Sequence, residues 1–196
     1  MKLASYVGTR DSIMGLGNRL IRLRLSGIRQ ALQTDNTSIQ DTLRASHSEI
    51  VFEPGDNVDH LMPDGTCQPN EKGELWCVSS VGLERIPHFS TRRAGKRGGV
   101  RFKRINVSGT EWELDETIAE PKTAAIWAVT NQGRLYDWQL ILGFLAWFIP
   151  NKKSRVMCSE SCAEMLGLRD AHRFDPCTLQ AVVKAMKVWK CKTVSK

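Results

Sequence analysis

The sequence lacks several features that would assign a protein to a class at once. Its longest mostly apolar run, WQLILGFLAWFI, ends at Pro150 and is too short to cross a bilayer, which needs about 20 residues. The first residues, MKLASYVGTRDS, have no apolar core of the kind found in secretion signals. No internal repeat, long low-complexity tract or Cys-x-x-Cys pair is present. These absences argue against a membrane-spanning protein, a secreted precursor, a repeat protein and a zinc-knuckle protein.

The composition is that of an ordinary globular domain. The chain has 196 residues, of which 41% are apolar and 25% are charged, which is enough for one domain with a substantial core. The formal net charge of +7 suits polyanionic surroundings such as nucleic acid, cell-wall polymer or anionic lipid, and equally a solvated basic surface. Because no secretion signal accompanies the six cysteines, we expect most of them to be reduced.

The order of predicted elements indicates an α+β protein with one domain over residues 1–186. We predict a helical N-terminal part over 1–45, strands at about 46–107, helices at about 111–186 and a frayed tail over 187–196. The strands are SHSEIVF, LWCVSSVGLERI and VRFKRINV, where the two-residue period places Val100, Phe102 and Arg104 on one face.

Helical spacing and capping residues predict the helices. One follows Asp11 and Ser12, and two more cover EWELDETIAEPKTAAIWAVTNQG, broken at Pro121, and RLYDWQLILGFLAWFI. The last two are CSESCAEMLGL, ended by Gly167, and FDPCTLQAVVKAMKVW, which begins at an Asp-Pro pair.

Cys158 combines a reactive side chain with a favourable local position. It ends a short hydrophobic strand and begins the helix CSESCAEMLGL. Unpaired backbone N–H groups and the helix dipole favour a thiolate at a helix N-terminus. A thiolate is the competent nucleophile for acyl transfer, although a buried structural cysteine could occupy the same position.

A thiolate nucleophile needs a base, and His47 is the candidate. Of the four histidines, only His47 lies inside a convincing strand. Glu49 shares its strand face, but residues two apart are separated by roughly 6.6 Å along a strand, so direct pairing is not assured. A core cysteine and an unrelated hydrogen-bonded histidine would explain the same residue types.

The ordered motifs resemble a known superfamily. The segments GRLYDW, VMCSESCAEMLGL and FDP are similar to the Tyr-x-Trp, Cys-Ser, Gly-Leu and Pro block of NlpC-type papain-fold amidases. Here the histidine precedes the cysteine, by 158 − 47 = 111 residues, as in circularly permuted members such as YiiX-like enzymes and relatives of lecithin retinol acyltransferase. Small bacteriophage proteins of this type carry a similar Ser-His strand, Gly-Gly-Val, Tyr-Asp-Trp and Cys-Ser-Glu. The resemblance runs from about Ser46 to Leu179.

The resemblance implies a circularly permuted papain-like fold, with an antiparallel sheet packed against helices. It makes Cys158 the nucleophile and His47 the general base and acid. It places Tyr136 near the oxyanion site, whereas residue type alone would allow a tyrosine packed at a helix start. The third catalytic residue would fall at Ser79 or Ser80, with Glu49 as another candidate. A serine would orient the imidazole only weakly.

The function that the resemblance implies is hydrolysis of an amide bond, with peptidoglycan stem peptide as the favoured substrate and another acyl or peptide group as an alternative. No metal or organic cofactor is implied. The location would be a phage virion or the host cytoplasm, and other virion proteins are possible partners. The alternative is a weak or inactive papain-like scaffold that serves virion assembly or binds a polyanion.

Two other interpretations come from the residues themselves. Cys158, Cys162, His172 and Cys177 could form a zinc site, since thiolates and imidazole are suitable zinc ligands. The basic segment STRRAGKRGGVRFKR could bind nucleic acid, with Phe102 stacking on a base, or be a solvated hairpin loop.

Overall fold

A computed structural model of the chain describes residues 1–8, 45–90, 92–137 and 154–194, with the side chains described as far as residue 187. The elements, in chain order, are β1 Lys2–Tyr6, β2 His47–Phe52, β3 Leu75–Arg85, β4 Arg97–Ile105, β5 Trp112–Glu116, α1 Pro121–Asn131, β6 Leu135–Tyr136, β7 Arg155–Val156, α2 Cys158–Met165 and α3 Pro176–Val194. Short 3-10 turns cover Asp59–Leu61 and Ala171–Arg173.

The described part of the chain is α+β, as predicted. Five strands form an antiparallel sheet in the order β4-β3-β2-β1-β5. β6 and β7 form a separate parallel pair in which Leu135 lies beside Arg155 and Tyr136 beside Val156. The three predicted strands in the middle of the sequence are confirmed as β2, β3 and β4.

One face of the sheet carries the main core. Ile50, Val78 and Phe102 lie in register on β2, β3 and β4 and are completely or almost completely buried. They belong to one cluster with apolar residues of all three helices. α2 packs directly on β2 and β3, so the sheet supports the helix that begins with Cys158. The predicted shared face is confirmed, because Arg104 lies over the Trp76 ring on the same side as Phe102.

The helix starts follow from their capping residues. The Glu120 carboxylate accepts hydrogen bonds from the backbone N–H groups of Lys122 and Thr123, and α1 begins at Pro121 instead of being broken there. Asp175 caps α3 in the same way, and its oxygen Oδ1 accepts from the backbone N–H of Cys177 at 2.8 Å. The predicted start of α3 is therefore confirmed.

Three predicted helical regions contain strands instead. Residues 2–6 lie in the N-terminal part expected to be helical, but they form β1, an inner strand of the sheet between β2 and β5. Residues 112–116 were expected in a helix, but they form the edge strand β5, paired with β1 along its whole length. Leu135 and Tyr136, expected at a helix start, form β6. Strand pairing overrides helix propensity in all three cases.

The Gly-Gly pair of β4 permits a close backbone approach. Gly98 and Gly99 have φ values of 73° and 136°, which other residues rarely adopt. A Cβ atom on Gly99 would lie 2.7 Å from the carbonyl oxygen of Arg134. That same oxygen accepts a hydrogen bond from the N–H of Val100 at 2.9 Å. The two glycines therefore let β4 hold the segment that leads to Tyr136.

Some predictions lie outside the described residues. These are the helix after Asp11, the body of the apolar helix from Trp138 onward, and the side chain of Cys191. Among the residues that are described, no helix is both long and apolar enough to span a membrane.

Candidate active site

A network of serines fixes the backbone where Cys158 begins α2. The Ser80 hydroxyl donates to the carbonyl oxygen of Val156 at 2.8 Å, which ties β7 to β3. The Ser161 hydroxyl donates to the Cys158 carbonyl oxygen at 2.7 Å and accepts from the Ser80 backbone N–H at 3.1 Å. Glu160 accepts the backbone N–H of Met157 at 3.2 Å, which caps the first turn. The predicted strand-to-helix turn is confirmed, and it is anchored from both sides.

Cys158 and His47 are brought together by the fold. The two side chains share a hydrogen bond, although they are 111 residues apart in the sequence. Cys158 is 3% exposed, and the His47 side chain is 24% exposed. Because Nε2 of His47 lies 2.8 Å from Oε1 of Glu49, the nitrogen left for the sulfur is Nδ1. One imidazole thus joins the thiol to the carboxylate.

The charges around His47 favour its protonated form. Burial alone would lower the pKa of this imidazole, but the charge of a Cys158 thiolate, its hydrogen bond and Glu49 together raise the pKa of His47 to about 10. These interactions favour the imidazolium form of the ring, and an imidazolium in turn stabilises a neighbouring thiolate.

Glu49 is held in its ionised form inside the protein. Burial alone would raise the pKa of this carboxyl, but the positive charge of Arg101 and the hydrogen bond and charge of His47 lower the pKa of Glu49 to about 2. Glu49 therefore supplies a fixed negative charge to His47 across the neutral pH range. The predicted shared face of His47 and Glu49 is confirmed, and the pairing that strand spacing alone left open is direct.

Arg101 contacts Glu49 of the candidate site, although no sequence motif indicated this residue. Its guanidinium donates from Nη2 to Oε1 of Glu49 at 2.7 Å and from Nη1 to Oε2 at 2.8 Å. It also contacts Glu84 at 3.0 Å. The available signal was a charged residue between the apolar Val100 and Phe102 of a buried strand. A charge in such a position requires a buried partner.

Tyr136 lies close to Cys158. Burial, then the charge of a Cys158 thiolate and then that of Asp137, raise the pKa of Tyr136 well above its ordinary value. The phenol therefore stays protonated and can act as a hydrogen-bond donor. Its place on β6, beside β7, brings it next to the strand that leads into α2. The structure thus groups Tyr136 with Cys158 but gives it a strand position, not a helix start.

Ser79 and Ser80 take structural positions. Both are fully buried. Ser79 donates towards the Ser80 carbonyl oxygen at 3.4 Å and also shares a hydrogen bond with the Cys162 thiol. Ser80 holds the backbone of Val156. Of the three residues considered for the third catalytic position, Glu49 is the one that contacts the imidazole.

Two aromatic rings border His47. The Trp112 ring centroid lies 6.5 Å from that of His47, and Tyr6 packs edge-on against Trp112 at 5.1 Å. Tyr6 is directly opposite both His47 on β2 and Trp112 on β5. The edge strand β5, a segment predicted to be helical, therefore contributes one wall of the site.

The proposed zinc ligands are not assembled into a site. Within the described residues, no group of three or more His, Cys, Asp or Glu side chains is placed to hold a metal ion. The sulfur of Cys177 contacts the Ala45 carbonyl oxygen at 3.0 Å, while the Cys158 side chain is hydrogen-bonded to His47. The five cysteines whose side chains are described are all buried and not in disulfides.

The basic segment does not have the exposed surface expected of a nucleic-acid-binding strand. Phe102 is 1% exposed, so it cannot stack on a base. Arg101 and Lys103 both pair with Glu84, and Arg104 pairs with Asp64. The exposed basic residues of the segment are Arg92, Arg93, Lys96 and Arg97, in the turn before β4 and at its first residue, and Lys103, which pairs with Glu84.

No protein-family model matches the chain, and comparisons with curated proteins and with solved structures found no match either. The class of protein that the site defines is therefore proposed from its geometry.

Proposed function

We propose that the protein is a cysteine hydrolase with a permuted papain-like arrangement, in which Cys158 is the nucleophile, His47 the base and acid, and Glu49 the residue that orients His47. One observation carries the proposal. Cys158 lies in the first turn of α2 and is hydrogen-bonded to an imidazole whose other nitrogen contacts a buried carboxylate. A nucleophile, a base and an orienting group in contact are the arrangement that activates a weak nucleophile.

The first step is acylation of the thiol. The Cys158 thiolate attacks the carbonyl carbon, a C–S bond forms, and the carbonyl oxygen becomes an oxyanion. The first backbone N–H groups of a helix have no partner within the helix, so that of Cys158 can stabilise the oxyanion together with the Tyr136 hydroxyl. The imidazolium of His47 gives its proton to the leaving nitrogen as the C–N bond breaks.

The second step restores the thiolate. Neutral His47 accepts a proton from a water molecule, whose oxygen attacks the thioester carbon. The C–S bond then breaks, the carboxylic acid product leaves, and the Cys158 thiolate remains beside a protonated His47. Glu49 keeps the imidazole in one orientation through both steps. The net reaction consumes one water molecule for each amide bond that is cleaved.

The resemblance of the sequence motifs to NlpC-type amidases favours peptidoglycan stem peptide as the substrate, and a phage virion or the host cytoplasm as the location. Incubation with soluble muropeptides, followed by mass spectrometry of newly formed amines and acids, tests this choice directly. The control is Cys158→Ser, which preserves the size of the side chain. If the wild type, but not Cys158→Ser, cleaves a different amide or an ester, the protein is still a cysteine hydrolase and only the proposed substrate is wrong.

Selective alkylation tests the reaction class without a known substrate. Limiting iodoacetamide at several pH values, with mass spectrometry of the labelled peptides, should modify Cys158 first near neutral pH. Burial raises the pKa values of the Cys77 and Cys162 thiols, and burial followed by nearby Asp59 raises the pKa of Cys67 to about 11. These thiols serve as internal controls that should react slowly.

Uniform labelling of all cysteines only after denaturation would contradict the proposal. An inert Cys158 would instead support the second candidate, a papain-like scaffold used for virion assembly or polyanion binding. The exposed basic turn before β4 is the feature that favours this candidate. It predicts salt-dependent binding to polyanions that is unchanged by Cys158→Ser.

A further inference from the structure

The Glu49 carboxylate needs support to serve His47. The two residues are two apart on β2, which separates their backbones by roughly 6.6 Å along the strand, so the carboxylate must lean along the strand to reach the ring. Its Oε1 atom lies 2.8 Å from Nε2 of His47. A buried carboxylate side chain that leans in this way can rotate, unless a second partner fixes its plane.

Arg101 is placed to fix that plane. It lies on β4, and β3 separates this strand from β2, yet its guanidinium reaches both oxygens of Glu49, at 2.7 and 2.8 Å. Two parallel hydrogen bonds between a planar guanidinium and a carboxylate restrict rotation as well as position. Both side chains are almost completely buried, with 3% and 1% of their surface exposed.

Arg101 is in turn held by Glu84. Its Nε and Nη2 atoms donate to Oε2 of Glu84 at 3.2 and 3.0 Å, and Lys103 pairs with the other oxygen of Glu84. The result is a row of alternating charges that runs from the Cys158–His47 pair through Glu49, Arg101 and Glu84 to the solvent-exposed Lys103.

We infer that Arg101 is a positioning residue of the candidate active site: its two parallel hydrogen bonds hold Glu49 in the orientation that orients His47 towards Cys158. The inference rests on the proposed roles of Cys158 and His47. Besides Arg101, the titratable groups that face Glu49 are His47 on its own strand, Cys77 on β3 and Cys162 on α2.

The experiment compares pH profiles of Cys158 alkylation in variants of the full chain. Arg101→Gln removes both the charge and the two parallel hydrogen bonds of the guanidinium. Arg101→Lys keeps a positive charge but cannot form two parallel hydrogen bonds to one carboxylate. Lys103→Gln is the matched control, because Lys103 belongs to the same row of charges and strand but contacts Glu84 instead of Glu49. Circular dichroism establishes that each variant is folded.

Arg101→Gln should slow labelling at pH 6 by about tenfold, a barrier change of about 1.4 kcal/mol. It should also move the acid limb of the profile to higher pH, because a Glu49 without its guanidinium takes up a proton more readily. Arg101→Lys should fall between this variant and the wild type. Lys103→Gln should superimpose on the wild type.

A double variant shows whether Arg101 acts through Glu49. If it does, Glu49→Gln with Arg101→Gln should react at the rate of Glu49→Gln alone, because the positioned group is already gone. An equal slowing in both backgrounds would overturn the inference, as would a folded Arg101→Gln with the wild-type profile. If Arg101→Gln does not fold, the inference is tested with Arg101→Lys. A wild-type profile for that variant would contradict a role for the two parallel hydrogen bonds.

The two proposals fail in distinguishable ways. If Cys158 of the wild type is reactive and the Arg101 variants have the same alkylation profile, the proposed hydrolase function is retained and only the role of Arg101 is wrong. An inert wild-type Cys158 overturns both.

Discussion

The two faces of β2, β3 and β4 solve different physical problems with the same strands. On one face, Ile50, Val78 and Phe102 lie in register and pack against the helices. On the other side of β2 and β4, His47, Glu49 and Arg101 form a continuous polar row. Because successive side chains of a strand alternate between faces, a single short strand contributes to both.

The comparison shows how stability and position are divided between the faces. Apolar burial is roughly proportional to area and tolerates rearrangement, so the first face stabilises the sheet without fixing any one atom. Each member of the buried polar row requires its neighbours, because an unpaired buried charge is costly. The second face therefore fixes the geometry of a few atoms, which a nucleophile and its base need.

The largest expected effect comes from removing His47, the proposed base on the polar face. His47→Ala should slow Cys158 alkylation at pH 6 by about a hundredfold or more, because the variant lacks the imidazolium that favours the reactive thiolate over the thiol. Mass spectrometry of the labelled peptide measures the rate. The exposed His172, changed to alanine, is the matched control and should behave like the wild type. Equal rates for both variants would break the distinction between the two faces.

A cavity on the apolar face should reduce stability without changing the chemistry of the site. Phe102→Ala should lower the free energy of unfolding by about 3–5 kcal/mol, the usual cost of deleting a buried aromatic ring. Urea unfolding measures that loss. Without urea, where the variant is folded, the pH profile of Cys158 alkylation should keep the wild-type shape. A shifted profile would show that the two faces are coupled.

Acid should affect the polar face through Glu49. Because the pKa of Glu49 is lowered to about 2 from an ordinary value of about 4.3, its stabilising contribution is complete above that ordinary value and disappears as the pH falls through about 2. A shift of this size corresponds to about 3 kcal/mol. Unfolding of the wild type and Glu49→Gln between pH 7 and pH 2 should give curves that converge in acid. Parallel curves would contradict the ionised, paired state of Glu49.

The smallest expected effect concerns the hydrogen bond between β3 and β7, the strand that leads into Cys158. Ser80→Ala removes the hydrogen bond to the Val156 carbonyl oxygen and should cost about 1 kcal/mol in the free energy of unfolding. It should slow Cys158 labelling only slightly, because Ser161 still holds the Cys158 carbonyl. A loss of labelling as large as that of His47→Ala would give Ser80 a direct role in the chemistry.

The sequence predicted the parts of the site that depend on local pattern. Strand alternation correctly placed His47 and Glu49 on one face, and the change from a short hydrophobic strand to the amphipathic segment CSESCAEMLGL correctly placed Cys158 at the start of a helix. The direct contact between His47 and Glu49 could not be predicted, because it depends on how far the two side chains lean. Arg101 could not be assigned either, since its partner is set by the register of β4, β3 and β2.

The missed strands share one cause. Glu111 to Glu116 contains strong helix formers, but β1 supplies an open edge with which Trp112 to Glu116 pairs. Residues 2–6 likewise become an inner strand only because β2 and β5 flank them. These are contacts between segments far apart in the sequence, which a local pattern does not contain.

The most direct test of the account is the protonation state of His47. Nitrogen-15 NMR of the imidazole ring, assigned with His47→Ala, can follow both ring nitrogens from pH 5 to pH 11. The account predicts that both stay protonated at neutral pH and that the ring titrates near pH 10, because burial is outweighed by the Cys158 thiolate and Glu49. Titration near pH 6.5, the ordinary value for histidine, would contradict the thiolate–imidazolium pair on which the proposed function depends.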